Sequence, residues 1–449
     1  MNWKKTISIV PLSAALVFSG TANFVGAHEG EHSEEPTVQT AAVDLRSDLG
    51  HLLSEHAYLA VETMRNGANQ SEDFEASVNA LNSNTDDLSN AISSVYGDEA
   101  GEAFKDMWSD HIGFFVDYVN ATAENDDEAK QAALDELSQY REDFSQFLED
   151  ATGERLEADS LAEGLQMHVN QLIGAFDSYI EEDYATAYEH EREAIGHMHM
   201  VAKGLSTAIS EQFPEDFDNT KAATPAGDLR ADLGHLLSEH AGLAVVAMQN
   251  GSDGSPDFDA AANALTSNTE DLSKAISSVY GDEAGQAFEE MWSEHIGYFV
   301  DYVNATAEED EAAKEEALNN LENYRDEFSG FMEEATEGNV QADGLAEGLQ
   351  MHVEQLIGAF DAYVAGDYEE AYSQAREAYG HMYGAAESLS SGIVMQHPDM
   401  FAADMPSEMP NTGLGTPETQ STNALMWTMG AIILAGIVVF TIRQKYSKQ

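Results

Sequence analysis

The chain contains no cysteine. Disulfides, thiolate metal sites, covalently attached c-type haem and cysteine nucleophiles are therefore excluded. Basic residues are scarce. Against 83 Asp and Glu stand only 19 Lys and Arg in 449 residues, a formal net charge of −64. A surface this one-sided excludes nucleic acid as a partner, because phosphate backbones have to be neutralised by Lys and Arg. It fits a heavily solvated surface in a salty habitat, loose cation accumulation, or repulsion from like-charged polymers. Proline is rare, with 9 residues, so long stretches are free of helix breakers. Also missing are G-x-S-x-G, P-loop, G-x-G-x-x-G and EF-hand patterns. No catalytic residue is assigned, and an enzymatic reading has no motif behind it.

What is present begins with two address-like ends. MNWKK followed by TISIVPLSAALVFSG, with Val25-Gly26-Ala27 before His28, reads as a secretory signal over residues 1–27. Residues 28–41 form an acidic tail whose HEGEH matches H-E-x-x-H by letter only, since that motif needs a stable helix. Near the other end stands Met409-Pro410-Asn411-Thr412-Gly413, in a polar segment over residues 399–423. An apolar run over 424–442 is long enough to span a bilayer as a transmembrane helix, and the basic tail 443–449 keeps its end cytoplasmic. Motif, spacer, span and basic tail in this order resemble the cell-wall sorting signal of Gram-positive surface proteins, with Met409 where that family carries Leu. The resemblance implies that sortase cuts between Thr412 and Gly413 and joins Thr412 to peptidoglycan. The expected location is the cell surface, anchored to wall or membrane.

Between the ends, one unit is written twice. DLRSDLGHLLSEHA at Asp44 returns as DLRADLGHLLSEHA at Asp228, and LAEGLQMHV at Leu161 returns at Leu345, at a constant offset of 184 residues. The copies run over 42–214 and 226–398, joined by the small, polar linker 215–225. Apolar residues recur at three and four, without strict alternation, so the fold class is all-α. Six helices are expected in the first copy, at about 42–66, 72–95, 98–123, 127–150, 159–182 and 184–211. Short connections pair them as antiparallel neighbours, which predicts two tandem up-and-down bundles.

Five His positions occur in both copies: His51/His235, His56/His240, His111/His295, His168/His352 and His197/His381. His56, His111 and His168 lie on the apolar faces of three different helices. His51 sits one step round, between Asp48 and Glu55, and His197 flanks a stripe centred on Met198. Each His-bearing helix also carries a methionine: Met64, Met107, Met167 and Met198, with Met291 the counterpart of Met107. Imidazole and thioether aimed into one bundle suit copper, or haem held without covalent attachment. The candidate ligands are therefore His56, His111, His168, His197 and Met107, and His240, His295, His352, His381 and Met291. Acidic neighbours such as Asp48, Glu55 and Glu193 are expected to orient the rings. The alternative is a structural or adhesive stalk without cofactor, in which each His is a bonded core residue and Met fills gaps. The spacing decides neither. The oligomeric state is not legible.

SVYGDEAGEAFKDMW, HIGFFVDYV and LAEGLQMHV resemble a helical module of secreted bacterial surface proteins often labelled copper amine oxidase-like. The resemblance covers nearly all of both copies and implies copper. It transfers no catalytic residue. The N-Y-D/E motif that yields the quinone of true copper amine oxidases is broken here as Asn323-Tyr324-Arg325-Asp326, and reads Gln139-Tyr140-Arg141-Glu142 in the other copy.

Overall fold

A computed structural model describes residues 35–402. The secretory signal, the MPNTG motif, the apolar run 424–442 and the basic tail all lie outside the described residues. Twelve α-helices, six per copy, make up nearly all of the described chain, and no strand occurs among the described residues. In the first copy they are α1 (Ala41–Asn69), α2 (Phe74–Tyr96), α3 (Asp98–Glu124), α4 (Asp127–Ala151), α5 (Ala158–Ile180) and α6 (Tyr184–Gln212). In the second they are α7 (Pro225–Asp253), α8 (Phe258–Tyr280), α9 (Asp282–Ala307), α10 (Glu311–Ala335), α11 (Ala342–Ala365) and α12 (Tyr368–Gln396). Among the described residues no helix is long and apolar enough to cross a membrane.

Local chemistry sets the ends. Thr40 accepts a hydrogen bond from the Val43 amide, and Asp126 accepts from the amides of Glu128 and Ala129. Gly97 and Gly281, at φ 89° and 86°, turn the chain between α2 and α3 and between α8 and α9. One expected break moves. The first helix runs through Asn66-Gly67 and ends only at Gln70, in the left-handed conformation with φ 53°. Gly67 is kept inside because Phe74 packs over it, with a ring carbon 3.2 Å from where a Cβ would stand.

Within each copy, sequential helices pack on one another and the sixth closes on the first. The first helix sits centrally: α1 touches α2, α3, α5 and α6, and α7 touches α8, α9, α11 and α12. Both are buried on most sides. Gly101 lets α3 lie close on α2, since a Cβ there would fall 2.7 Å from the Ser89 carbonyl oxygen.

The copies also pack side by side, through α1 on α7, α2 on α12 and α6 on α8. The contacts pair off as at a two-fold axis. Arg46 binds Asp228 while Arg230 binds Asp44. Arg376 binds Glu55 at 2.9 Å and Asp87 at 2.8 Å, and its counterpart Arg192 binds Glu239 at 3.0 Å and Asp271 at 2.9 Å. Near the centre, the rings of Tyr58 and Tyr379 stack 5.5 Å apart. One apolar cluster accordingly includes residues from both copies. His235, placed at a flank by its helical position, is fully covered in this interface beneath His199.

Glu55 is almost completely buried, and its partners are Asn84 and His51 from its own copy and Arg376 from the other. Removing one partner of such a pair strands a charge. Arg376→Ala should therefore cost about 3 kcal/mol in urea unfolding, and adding Glu55→Gln should recover part of it. An unchanged midpoint would show that the inter-copy pairing is not formed in solution.

Candidate metal centre

The sequence period aims three helices of each copy at one interior point. In the second copy α7 supplies His240, α9 supplies His295 and α11 supplies His352. All three are buried, at 1%, 3% and 4% exposure. Each offers a ring nitrogen, and these nitrogens all lie within 4.8 Å of one another. The Nε2 atoms of His240 and His295 stand 3.3 Å apart. Three nitrogens at about 2.0 Å from one ion would be separated by about 3.3–3.5 Å, so one edge of a coordination triangle is already in place. The first copy places His56, His111 and His168 in the equivalent positions, but among the described residues only the second copy's trio brings all three nitrogens within 4.8 Å of one another. His56 and His111 approach to 3.4 Å through their Nε2 atoms, and the His168 ring lies 6.0 Å from that of His56.

Aromatic rings wall each trio. Trp292 packs 4.9 Å from His240 and 4.6 Å from His295, and Tyr324 stacks on His295 at 4.9 Å. Trp108 and Tyr140 do the same around His56 and His111. Charge is costly in such a place. Burial pushes His111, His295 and His352 down to about 3, with neighbouring imidazoles adding to the effect at His352. His56, His168 and His240 also lie well below the ordinary value, again through burial first and facing imidazoles second. All six are neutral at physiological pH, the state in which imidazole is a ligand.

Hydrogen bonding separates two uses of the trio. Trp292 Nε1 donates to His240 Nδ1 across 3.3 Å. With Nδ1 accepting, neutral His240 carries its proton on Nε2 and donates it to His295 Nε2. That relay satisfies His240 without an ion. It does nothing for His352, whose two ring nitrogens are buried and have no hydrogen-bond partner, as also holds for His168. Trp108 Nε1 and His56 Nδ1 likewise have none. A metal at His240 Nε2 requires the proton to move to Nδ1 and the long Trp292 contact to open.

The other sequence candidates stand beside the trios. His381 Nε2 donates to the Gly348 carbonyl at 2.9 Å, so that nitrogen is already used. His197 sits against Gly164 in the equivalent place. Met107 and Met291 are half-buried, packed against the apolar clusters, and Met167 is half exposed. Met248 lines a cavity together with His240. The expected orienting carboxylates meet imidazoles outside the trios: Glu55 stands 3.8 Å from His51 Nε2 and also takes Arg376 and Asn84, and Glu193 pairs with His190. Trp292 and Tyr324 contact the rings instead. The sequence does carry a signal for the tryptophan, which precedes its His by three residues in both copies and so shares its face.

The chain matches no family model, no curated protein and no solved structure.

Because the fold holds these imidazoles neutral, acid should act on stability. In the unfolded chain each takes a proton near its ordinary value of 6.5, while His111, His295 and His352 refuse one down to about 3. Below pH 6.5 the unfolded state thus binds more protons. Stability is complete above that pH and is lost as pH falls toward 3, by about 1.4 kcal/mol per unit and per group. The melting temperature should drop between pH 7 and pH 5, and less so in His352→Leu. Equal slopes in the two proteins would contradict the burial of a neutral His352.

Proposed function

We propose that the protein is a surface-anchored copper-binding module, with one three-imidazole site in each copy: His240, His295 and His352, and His56, His111 and His168. One observation carries this reading. Three neutral imidazoles from three helices converge within 4.8 Å, and His352 has no partner on either nitrogen. An orphaned polar ring in a core costs free energy that a bound ion would offset. The donor set favours cuprous copper. No carboxylate joins the group, and the cost of burying charge rises steeply with its size, so a monocation suits three neutral donors better than a dication. Rings of Trp292 and Tyr324 within 5 Å crowd the trio, which favours a bare ion over a porphyrin.

Around the sites, the two bundles stand in tandem outside the cell. The signal 1–27 exports the chain, the 424–442 helix holds it in the membrane, and sortase transfers Thr412 to peptidoglycan. The acidic surface then concentrates cations near the wall. The metal-free stalk remains the second reading, and the Trp292–His240–His295 relay is the observation that favours it.

Anaerobic titration with Cu(I) against a chromogenic chelator separates the two. Copper binding predicts two ions per chain, one after His295→Ala with His352→Ala, one after His111→Ala with His168→Ala, and none when all four are changed. Copper should also raise the melting temperature of the wild-type chain, because a ligand of the native state stabilises it. A wild-type chain that yields all its copper to the chelator would leave the stalk. In a sortase-bearing Gram-positive host, Thr412→Ala should move the protein from the muramidase-released wall fraction to the detergent-extracted membrane. An unchanged wall fraction would sink the sorting assignment.

A further inference from the structure

The second copy contains a cavity of about 340 Å³ between α7, α8 and α9. That size lies at the lower end of the range for small-molecule sites, roughly 300–1,000 Å³. Its inner wall is buried and apolar, formed by Ala244, Met248, Leu265, Phe299 and Val303, with His240 at the same wall. Its mouth is formed by Thr266, Val300 and Asn304, all exposed. No charged residue lines it, although the chain as a whole is strongly acidic.

We infer that this cavity binds a small, uncharged, largely aromatic or aliphatic molecule against the face of the His240 helix. The lining selects the class. Apolar walls give a polar or ionic guest nothing in exchange for its hydration, and the surrounding negative charge repels anions. At the rim, Asn250, Ser255 and Thr266 donate to Tyr188, Asp257 and the Ala262 carbonyl, so only their oxygens are left to accept from at most one polar end. The copies differ at this place. Ala247, Gly254, Ala262 and Thr266 correspond to Thr63, Gln70, Val78 and Asn82, so the second copy carries the smaller or less polar side chain at each position. Since the rest of the wall is shared, as in Met248/Met64, Leu265/Leu81 and Phe299/Phe115, these substitutions give the second copy its own specificity. The inference does not depend on copper, because the cavity is bounded by side chains rather than by an ion.

The probe is N-phenyl-1-naphthylamine, which is neutral and fluoresces in apolar surroundings. The full chain should show saturable enhancement with one site. Two variants bear on the cavity. The triple change Ala247→Thr, Ala262→Val and Thr266→Asn installs three side chains that the first copy carries at the same places, and Val300→Trp blocks the mouth from an exposed position. Each should weaken binding about tenfold, the loss expected when one or two methylene-sized contacts are withdrawn. His111→Ala with His168→Ala, in the other copy, should leave binding unchanged while removing one copper. Absence of saturable binding to the wild type, or wild-type affinity in both cavity variants, would overturn the inference. Probe binding by a chain that holds no copper would uphold it while the copper reading fails.

Discussion

The fold depends on the burial of α1 and α7 on nearly every side. A helix surrounded by protein cannot leave its polar groups to water, so each one needs a partner from a neighbouring helix. Arg46, Glu55 and His56 on α1 are all nearly inaccessible, as are Arg230, Glu239 and His240 on α7. Their partners come from two directions. Charged groups face the other copy, where Asp228, Arg376, Asp44 and Arg192 meet them. Imidazoles face inward to their own bundle. One helix thus holds the inter-copy interface on one side and the candidate metal centre on the other.

Neutral imidazoles are what make the inward side tolerable. A protonated ring there would meet two further imidazoles and a wall of Trp, Tyr and Phe, with no carboxylate in the group to balance it. The trio must therefore stay uncharged, and neutral rings brought this close either pass protons among themselves or share an ion. The Trp292 contact supports the first use for His240, and the unpartnered nitrogens of His352 support the second. Both sets of contacts belong to the same neutral state and differ by one proton position on His240.

Duplication has not kept the two copies equivalent. Glu62, Arg65 and Glu191 cluster in the buried part of the first copy, where the second has Val246, Gln249 and Ala375. Burial pushes Glu191 up to about 8, with Arg65 pulling the other way. The polar cluster in one copy and the widened apolar cavity in the other show each bundle diverging around a shared frame.

Helix content, helix ends and the inward aim of His56, His111 and His168 were legible in the sequence, because a 3.6-residue period and Gly, Asp and Thr at the ends act locally. The expected helix starts at 98, 127 and 184 coincide with those of α3, α4 and α6. The candidate donors were legible as a face but not as a trio, since depth along a bundle depends on how helices slide past one another. The inter-copy partners were not legible: Arg192 with Glu239, Arg376 with Glu55, Tyr188 with Asp257 and Tyr372 with Asp73 meet only because the two copies pack together. By itself the sequence determined which side chains are apolar, which are ionisable and which way each helix turns them. Tertiary structure alone decided which nitrogens meet within bonding reach, because that distance is set by contacts between residues far apart in the chain.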